Sequence, residues 1–391
     1  MKRIAALLSL LLVSASSAGP AAPSLKSDHL FVWTADADGQ QSDFLAVIDL
    51  DRGSPTYGTV VATAPTGVKA SKSHHSEHDM PAGGILFANG FGAGRTWLFD
   101  LRQPRRPSVR ASFADAGTMM HAHSFGRLPS GNVLATYQMT GHDNDAPGGL
   151  AEISADGVVV RTSPVTGLDP VEFVRPYSLA IVPKLDRIVT TTADMHSKAA
   201  SRTVQIWRLS DLKLLSTIPL PAGPRGKEQL DSAEPRLMAD GRTVLVSTFN
   251  CGLFLLDGLA GDRPSARLVH DFGTGECALP VVAGRYWVQT DTALPGLVSL
   301  DISKPQRPRV VDRLVLPAGQ EPHWISLSPD GRRIVISGGG KALKNKILLA
   351  KIDPKSGRLA LDPTLSIDFD RTSWPHGDSG KAIPHGAVFS R

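Results

Sequence analysis

The chain is poor in cysteine and aromatic residues. It holds two Cys, four Tyr and 6% aromatics in 391 residues. Two cysteines exclude a disulfide-dense mini-protein and a cysteine-rich zinc module, both of which need closely spaced thiols. Basic and acidic residues number 42 and 37, for a net charge of +5. The cations are scattered, and RQPRRP at 102–107 is their one dense cluster. A nucleic-acid groove needs a basic stripe interleaved with aromatics, so nucleic acid is excluded as the expected partner. Beyond the N-terminus no apolar run approaches the ~20 residues of a membrane span. What the chain has in quantity is turn-formers, 37 Gly and 29 Pro, beside a hydrophobic content of 41%. That combination rules out wholesale disorder and a helical bundle, and points to many short strands joined by turns.

The first residues, MKRIAALLSLLLVSASSAGP, read as a secretory signal. Lys2 and Arg3 supply the charged start and Ile4 to Val13 the apolar run, with Ser16 and Ala18 before a cut after residue 18. No cysteine near the cut offers a lipid anchor. The expected mature chain, 19–391, is periplasmic or secreted and is not inserted in a membrane. In such a compartment Cys251 and Cys277 can pair; a buried thiol at Cys251 and a site thiol at Cys277 are the other two readings.

From residue 28 one phrase recurs: a β-rich run, a polar turn and two further β-rich runs. FGRLPSGNVLATYQ (125–138), LAIVPKLDRIVTTT (179–192), RLMADGRTVLVST (236–248) and SLSPDGRRIVISGG (326–339) are its clearest copies. Alternating β-branched residues around PS, DG and SG turns signal antiparallel hairpins. Equivalent turns of neighbouring repeats lie roughly 40–55 residues apart, the spacing of propeller blades, and about 373 mature residues divided by ~50 gives seven. The expected fold is an all-β, seven-bladed β-propeller of four-stranded antiparallel blades. HGAVF (385–389) is expected to close the ring against the strand that opens the mature chain at DHLFVW (28–33), removing exposed edges.

Aligning the copies on their first turn places chemistry in register. His75, His123 and His323 each stand six residues before a turn proline, as does Tyr177, while Glu234 and Cys277 stand seven before a turn glycine. This position opens the innermost strand, so the repeat gathers these side chains around the central channel. SHHSEHDM contributes His74, His75 and His78, MHAHS contributes His121 and His123, and the final segment brings His376 and His385. Imidazoles converging without carboxylates suit copper, zinc or non-haem iron, whereas calcium and magnesium prefer oxygen. The expected metal ligands are His75, His123, His323 and His385, with His78 and His121 as alternates or orienting neighbours. Glu234 is the candidate catalytic proton acceptor. His29, His142, His196 and His270 fall outside the phase. The bland alternative is that the inner histidines plug the channel by hydrogen-bonding to one another and to water. Three glycine- or acid-rich stretches carry little: SGGGKALK (337–344) lacks phosphate-loop spacing, NGFGAG (89–94) lacks a strand–helix context, and GHDNDAPGG (141–149) reads as a hairpin tip.

SDFLAVIDLDRGSPTYGTVVATAPTG (42–67), HHSEHDM, MHAHSFGRLPSGNVLATY, GGLAEI and EPHWISLSPDGRR together resemble the selenium-binding protein family, whose members include methanethiol oxidases. The resemblance implies a seven-bladed propeller. For the oxidase members it also implies a periplasmic, copper-dependent conversion of methanethiol with O2 and water to formaldehyde, hydrogen sulfide and hydrogen peroxide. The selenium-associated cysteine of animal members follows a Ser-Pro-x-Tyr stretch; here Ser54, Pro55 and Tyr57 are followed by Gly58, which argues against selenium. Two other readings stay open at this point: a non-catalytic metal-binding or scaffold propeller, and a lactonase-like hydrolytic propeller. The latter would favour a ring of Asp, Asn and Glu over one of His.

Overall fold

The computed structural model describes residues 28–114, 116–141, 146–165, 174–196, 199–338 and 345–391. Residues 1–27, which include the expected secretory signal, His142 and most of SGGGKALK lie outside the described residues. Twenty-eight strands, numbered β1 to β28 in chain order, form seven four-stranded antiparallel sheets, and the one helical piece among the described residues is a 3-10 turn at Pro183–Leu185. This is the seven-bladed propeller expected from the repeat. The innermost strands are β4 (Ser73–Ser76), β8 (Met119–Arg127), β12 (Pro176–Val182), β16 (Ser232–Leu237), β20 (Pro280–Ala283), β24 (Trp324–Leu327) and β28 (Ala382–Phe389). Each touches the next, and β28 touches both β24 and β4, so the ring closes.

Closure mixes the two ends of the chain. β28 pairs antiparallel with β1 (His29–Asp36), Leu30 opposite Phe389 and Asp36 opposite Ala382, and completes the blade of β1, β2 (Ser42–Asp49) and β3 (Val60–Lys69). The inner side of β1 thereby gains a ladder partner instead of an open edge. Trp324 Nε1 and Ser326 Oγ both donate to the Ala387 carbonyl, tying β28 to the preceding blade.

The core lies between blades. Strand residues of alternating parity face opposite sheet surfaces, so each blade presents an apolar layer to both neighbours. Trp33, Trp97, Trp207, Trp287 and Trp324 are fully buried there. Outer strands show the complementary half-exposed pattern, as in Ser108–Phe113.

Inside, the first hairpins carry a repeated irregularity. The pairing of β4, β8, β12 and β16 with the next strand slips by one residue, between Ser73 and Ser76, Ala122 and Phe125, Pro176 and Leu179, and Ser232 and Glu234. Each slip is a β-bulge, which leaves residues unpaired and re-aims their side chains. His74 and His75, His123 and Ser124, Tyr177 and Ser178 sit in these bulges. The ladder corrects the register read from the turns: Ser73 is equivalent to Ala122, so His74, not His75, matches His123. The β4 hairpin has one more residue before its proline, which hid the offset.

A candidate metal centre in the channel

Bulges in adjacent blades, together with the closing strand, bring four imidazoles together. The Nε2 atoms of His74 and His123 are 3.0 Å apart. Ring centroids are separated by 4.4 Å for His74 and His75, 4.2 Å for His75 and His123, and 4.3 Å for His74 and His385. One nitrogen from each of His74, His75 and His123 lies within 4.8 Å of the others, a group able to hold a metal ion. His385 reaches the group because Gly386 lies against the chain of β4. A Cβ there would stand 2.9 Å from the Ser76 nitrogen and 3.1 Å from the His74 carbonyl. His323 follows at the edge, its ring 5.1 Å from that of His385.

Second partners orient the rings. Nδ1 of His123 donates to the Tyr177 carbonyl at 2.8 Å, leaving Nε2 with its lone pair turned to His74. Ser124 Oγ is 3.1 Å from both His75 Nδ1 and His123 Nδ1. Asn89 locks the two strands together: its Oδ1 accepts the His75 backbone N–H at 2.7 Å, and its Nδ2 donates to the Ala122 and His123 carbonyls. Two nitrogens, His75 Nε2 and His385 Nδ1, are buried without a hydrogen-bond partner. A buried polar atom without a partner is costly, and His75 belongs to the group able to hold an ion.

Electrostatics keep the group neutral. Burial, followed by the neighbouring imidazoles, holds His74, His75 and His385 well below the ordinary histidine range. His123 lies at about 3, lowered by burial against the raising effect of its bond to Tyr177. Neutral imidazole is the ligand form. Burial, with the Glu234 and Glu276 carboxylates, raises Tyr177 well above its usual value, so it stands by the cluster as a protonated phenol.

A cavity of about 820 Å³ opens over this group. Its floor is His74, His323, His385 and Tyr177, and its walls include Lys72, Met195, Phe249 and Glu276.

Not every candidate joins the cluster. His78 stacks on Trp324 at 4.7 Å, with Glu234 Oε2 3.9 Å and Arg236 3.4 Å from its Nε2. Glu234 is fully buried; its Oε2 accepts from Arg236 at 2.6 Å and Ser178 at 2.7 Å, while Oε1 has no partner. Its charge is already matched by Arg236, and His78 is the histidine at its side. His121 turns away, its Nδ1 2.8 Å from the Phe91 carbonyl, and pairs with His196. His74, absent from the expected ligands, is at the centre of the group; the adjacent HH pair was the available signal. Cys251 and Cys277 form a disulfide, which removes both thiols from ligand chemistry. Ser54 and Thr56 of the SPTYG stretch both donate to Asp49 Oδ2, a turn lock, and Gly58 presents no side chain, so the selenium anchor is missing.

No family model matches the chain. A methanethiol oxidase of Hyphomicrobium sp. is 25% identical over 338 residues, 79% of this chain and 75% of that protein. A methanethiol oxidase of Ruegeria pomeroyi is 26% identical over 144 residues, 35% of this chain and 32% of that protein. Among solved structures, a hypothetical selenium-binding protein of Sulfolobus tokodaii superposes with a TM-score of 0.75 at 15% identity, over 93% of this chain and 94% of that one. A periplasmic gluconolactonase of Pseudomonas aeruginosa does so with a TM-score of 0.65 at 15% identity, over 93% and 99%. The structural likenesses speak for the propeller alone, while the sequence likeness, at 25% and 26% identity, is to methanethiol oxidases and agrees with the motifs.

Proposed function

We propose that the chain is a periplasmic, copper-dependent oxidase of a small thiol, converting methanethiol, O2 and water to formaldehyde, hydrogen sulfide and hydrogen peroxide. The observation that carries this reading is the buried cluster of neutral imidazoles beneath an open cavity, in a relative of methanethiol oxidases. His74, His75, His123 and His385 would hold the ion, with His323 at the cavity edge. Copper accepts imidazole and thiolate alike, and when bound it would supply a soft acid for sulfur and a one-electron couple for O2.

The chain's own part is to bind, orient and keep dry. The cavity admits the thiol beside Met195 and Phe249, whose apolar surfaces suit a methyl group. Lys72 lines the same cavity, its Nζ 5.4 Å from the centre of the Phe91 ring. Tyr177, held protonated, can donate a hydrogen bond but cannot act as a base. The lactonase reading has less support, because the innermost ring is dominated by nitrogen donors. Export is supported by the leader-like sequence and by the Cys251–Cys277 disulfide, which suits an oxidising compartment.

The test is elemental analysis of protein matured in the periplasm, joined to oxygen uptake with methanethiol. Stoichiometric copper and thiol-dependent uptake are expected. Protein free of any transition metal would sink the reading.

A further inference from the structure

A second pair of histidines lies outside the cluster, and one aromatic ring separates the two groups. Phe91 is 3% exposed. Its ring centroid is 5.9 Å from His74 and 5.8 Å from His123 on one side, and 5.4 Å from His121 and 5.2 Å from His196 on the other. His121 and His196 face each other with centroids 4.8 Å apart. The inner residues are buried, whereas His121 and His196 are partly exposed, although His196 Nε2 itself is buried.

The outer pair is arranged to offer nitrogen lone pairs. His121 spends Nδ1 on the Phe91 carbonyl, which leaves Nε2 as its free lone pair. It holds a left-handed backbone at φ 57°, a conformation that non-glycine residues adopt at a cost and that is concentrated at functional sites. His196 is positioned by its backbone N–H donating to Asp194 Oδ1 at 2.8 Å, and its Nε2 is buried with no partner. Next in the chain, Met195 lines the cavity over His74 and His385.

We infer that His121 and His196 form a second metal site, one for monovalent copper, which loads the buried cluster. Two imidazoles are too few for zinc, which takes four ligands, but suffice for Cu(I), a soft ion at ease with two-coordination. The loading role rests on the metal reading of the inner cluster. A hydrated ion cannot reach nitrogens that are almost fully buried without shedding water first, and a partly exposed pair that includes an unpartnered nitrogen supplies replacement ligands during that exchange. The thioether of Met195 gives a further soft donor on the cavity side. Only ligand exchange is involved, with no change of oxidation state.

Anaerobic titration of the mature chain with Cu(I) against a competing chelator tests this, with circular dichroism checking the fold of each variant. Wild type is expected to take up two equivalents. His196→Ala and His121→Asn, the latter tolerant of a left-handed backbone, should each take up one, with filling slowed. The inner double variant His74→Ala/His123→Ala should keep one equivalent, lost when His196→Ala is added. Unchanged stoichiometry and rate in His196→Ala and His121→Asn would overturn the outer site and leave the inner reading intact. If instead the inner double variant binds as much copper as wild type while His196→Ala binds none, the inner metal reading and the loading role fall together.

Discussion

His74 and His123 face each other across two neighbouring blades with their Nε2 atoms 3.0 Å apart. Neither residue is near the other in sequence, and each is thrust into the channel by a bulge in its own hairpin. The contact is therefore a product of the repeat: equivalent positions on adjacent blades become neighbours when the ring closes.

Replacing His74, His75 or His123 singly by Ala is expected to lower copper affinity by roughly 10–100-fold or more, since each loss removes a ligand. His270→Ala, on the outer strand Ser265–Asp271, should leave copper content at wild-type level. Metal analysis after dialysis decides the matter. Equal losses at His270 and His74 would displace the site from the channel.

Removing residues 384–391 takes away most of β28 and reopens the inner edge of β1. Thermal stability and copper content should fall together, because the same strand carries His385. A milder probe is Phe389→Ala: the ring is 3% exposed, and its loss should cost about 3–5 kcal/mol. Denaturant unfolding of both variants measures the effect, and an unaltered melting temperature in the truncated chain would refute closure by this strand.

The metal-free protein should be acid-sensitive well above the carboxylate range. In the unfolded chain each histidine titrates near ~6.5, whereas His123 in the folded state does so at about 3 and His74, His75 and His385 are also lowered. Between those values the unfolded state binds more protons, so stability is full above ~6.5 and declines as pH falls, by about 1.4 kcal/mol per unit for each such group. Urea midpoints measured from about pH 7.5 to 4.5 should slope downward toward acid. A flat profile would mean the imidazoles are not buried neutral.

Cys251 and Cys277 are both fully buried and 26 residues apart in the chain. Replacing the pair by Ser should destabilise the fold by about 3–4 kcal/mol through the freer unfolded chain. Copper content should be retained, because neither sulfur belongs to the histidine group. Stability equal to wild type under oxidising conditions would show that the bond does not form.

Much of the architecture was legible in the residues themselves. Alternating β-branched runs around PS, DG and SG turns specify hairpins by local chemistry, and their recurrence specifies blades, since one blade cannot bury its faces alone. Recurrence likewise placed His75, His123, His323 and Tyr177 in one phase at the start of the innermost strands. For the same reason the tail HGAVF could be read as the closing strand: a ring with an open edge has unsatisfied backbone groups.

What only the tertiary structure decided turns on single-residue offsets and on packing between distant segments. In a strand, a shift of one residue sends a side chain to the opposite face, and the longer β4 hairpin makes that shift invisible to spacing from the proline. Hence His74 rather than His75 matches His123, and the bulge then admits both. His78, three residues on, leaves the group and stacks on Trp324, a contact between blades far apart in sequence. Glu234 was the candidate proton acceptor by register, and only the fold shows Arg236, two residues away on the same strand, turning back to bond its carboxylate. The pairing of Cys251 with Cys277 was likewise open, because two cysteines 26 residues apart bond only if the fold brings their Cα atoms close, here to 4.9 Å.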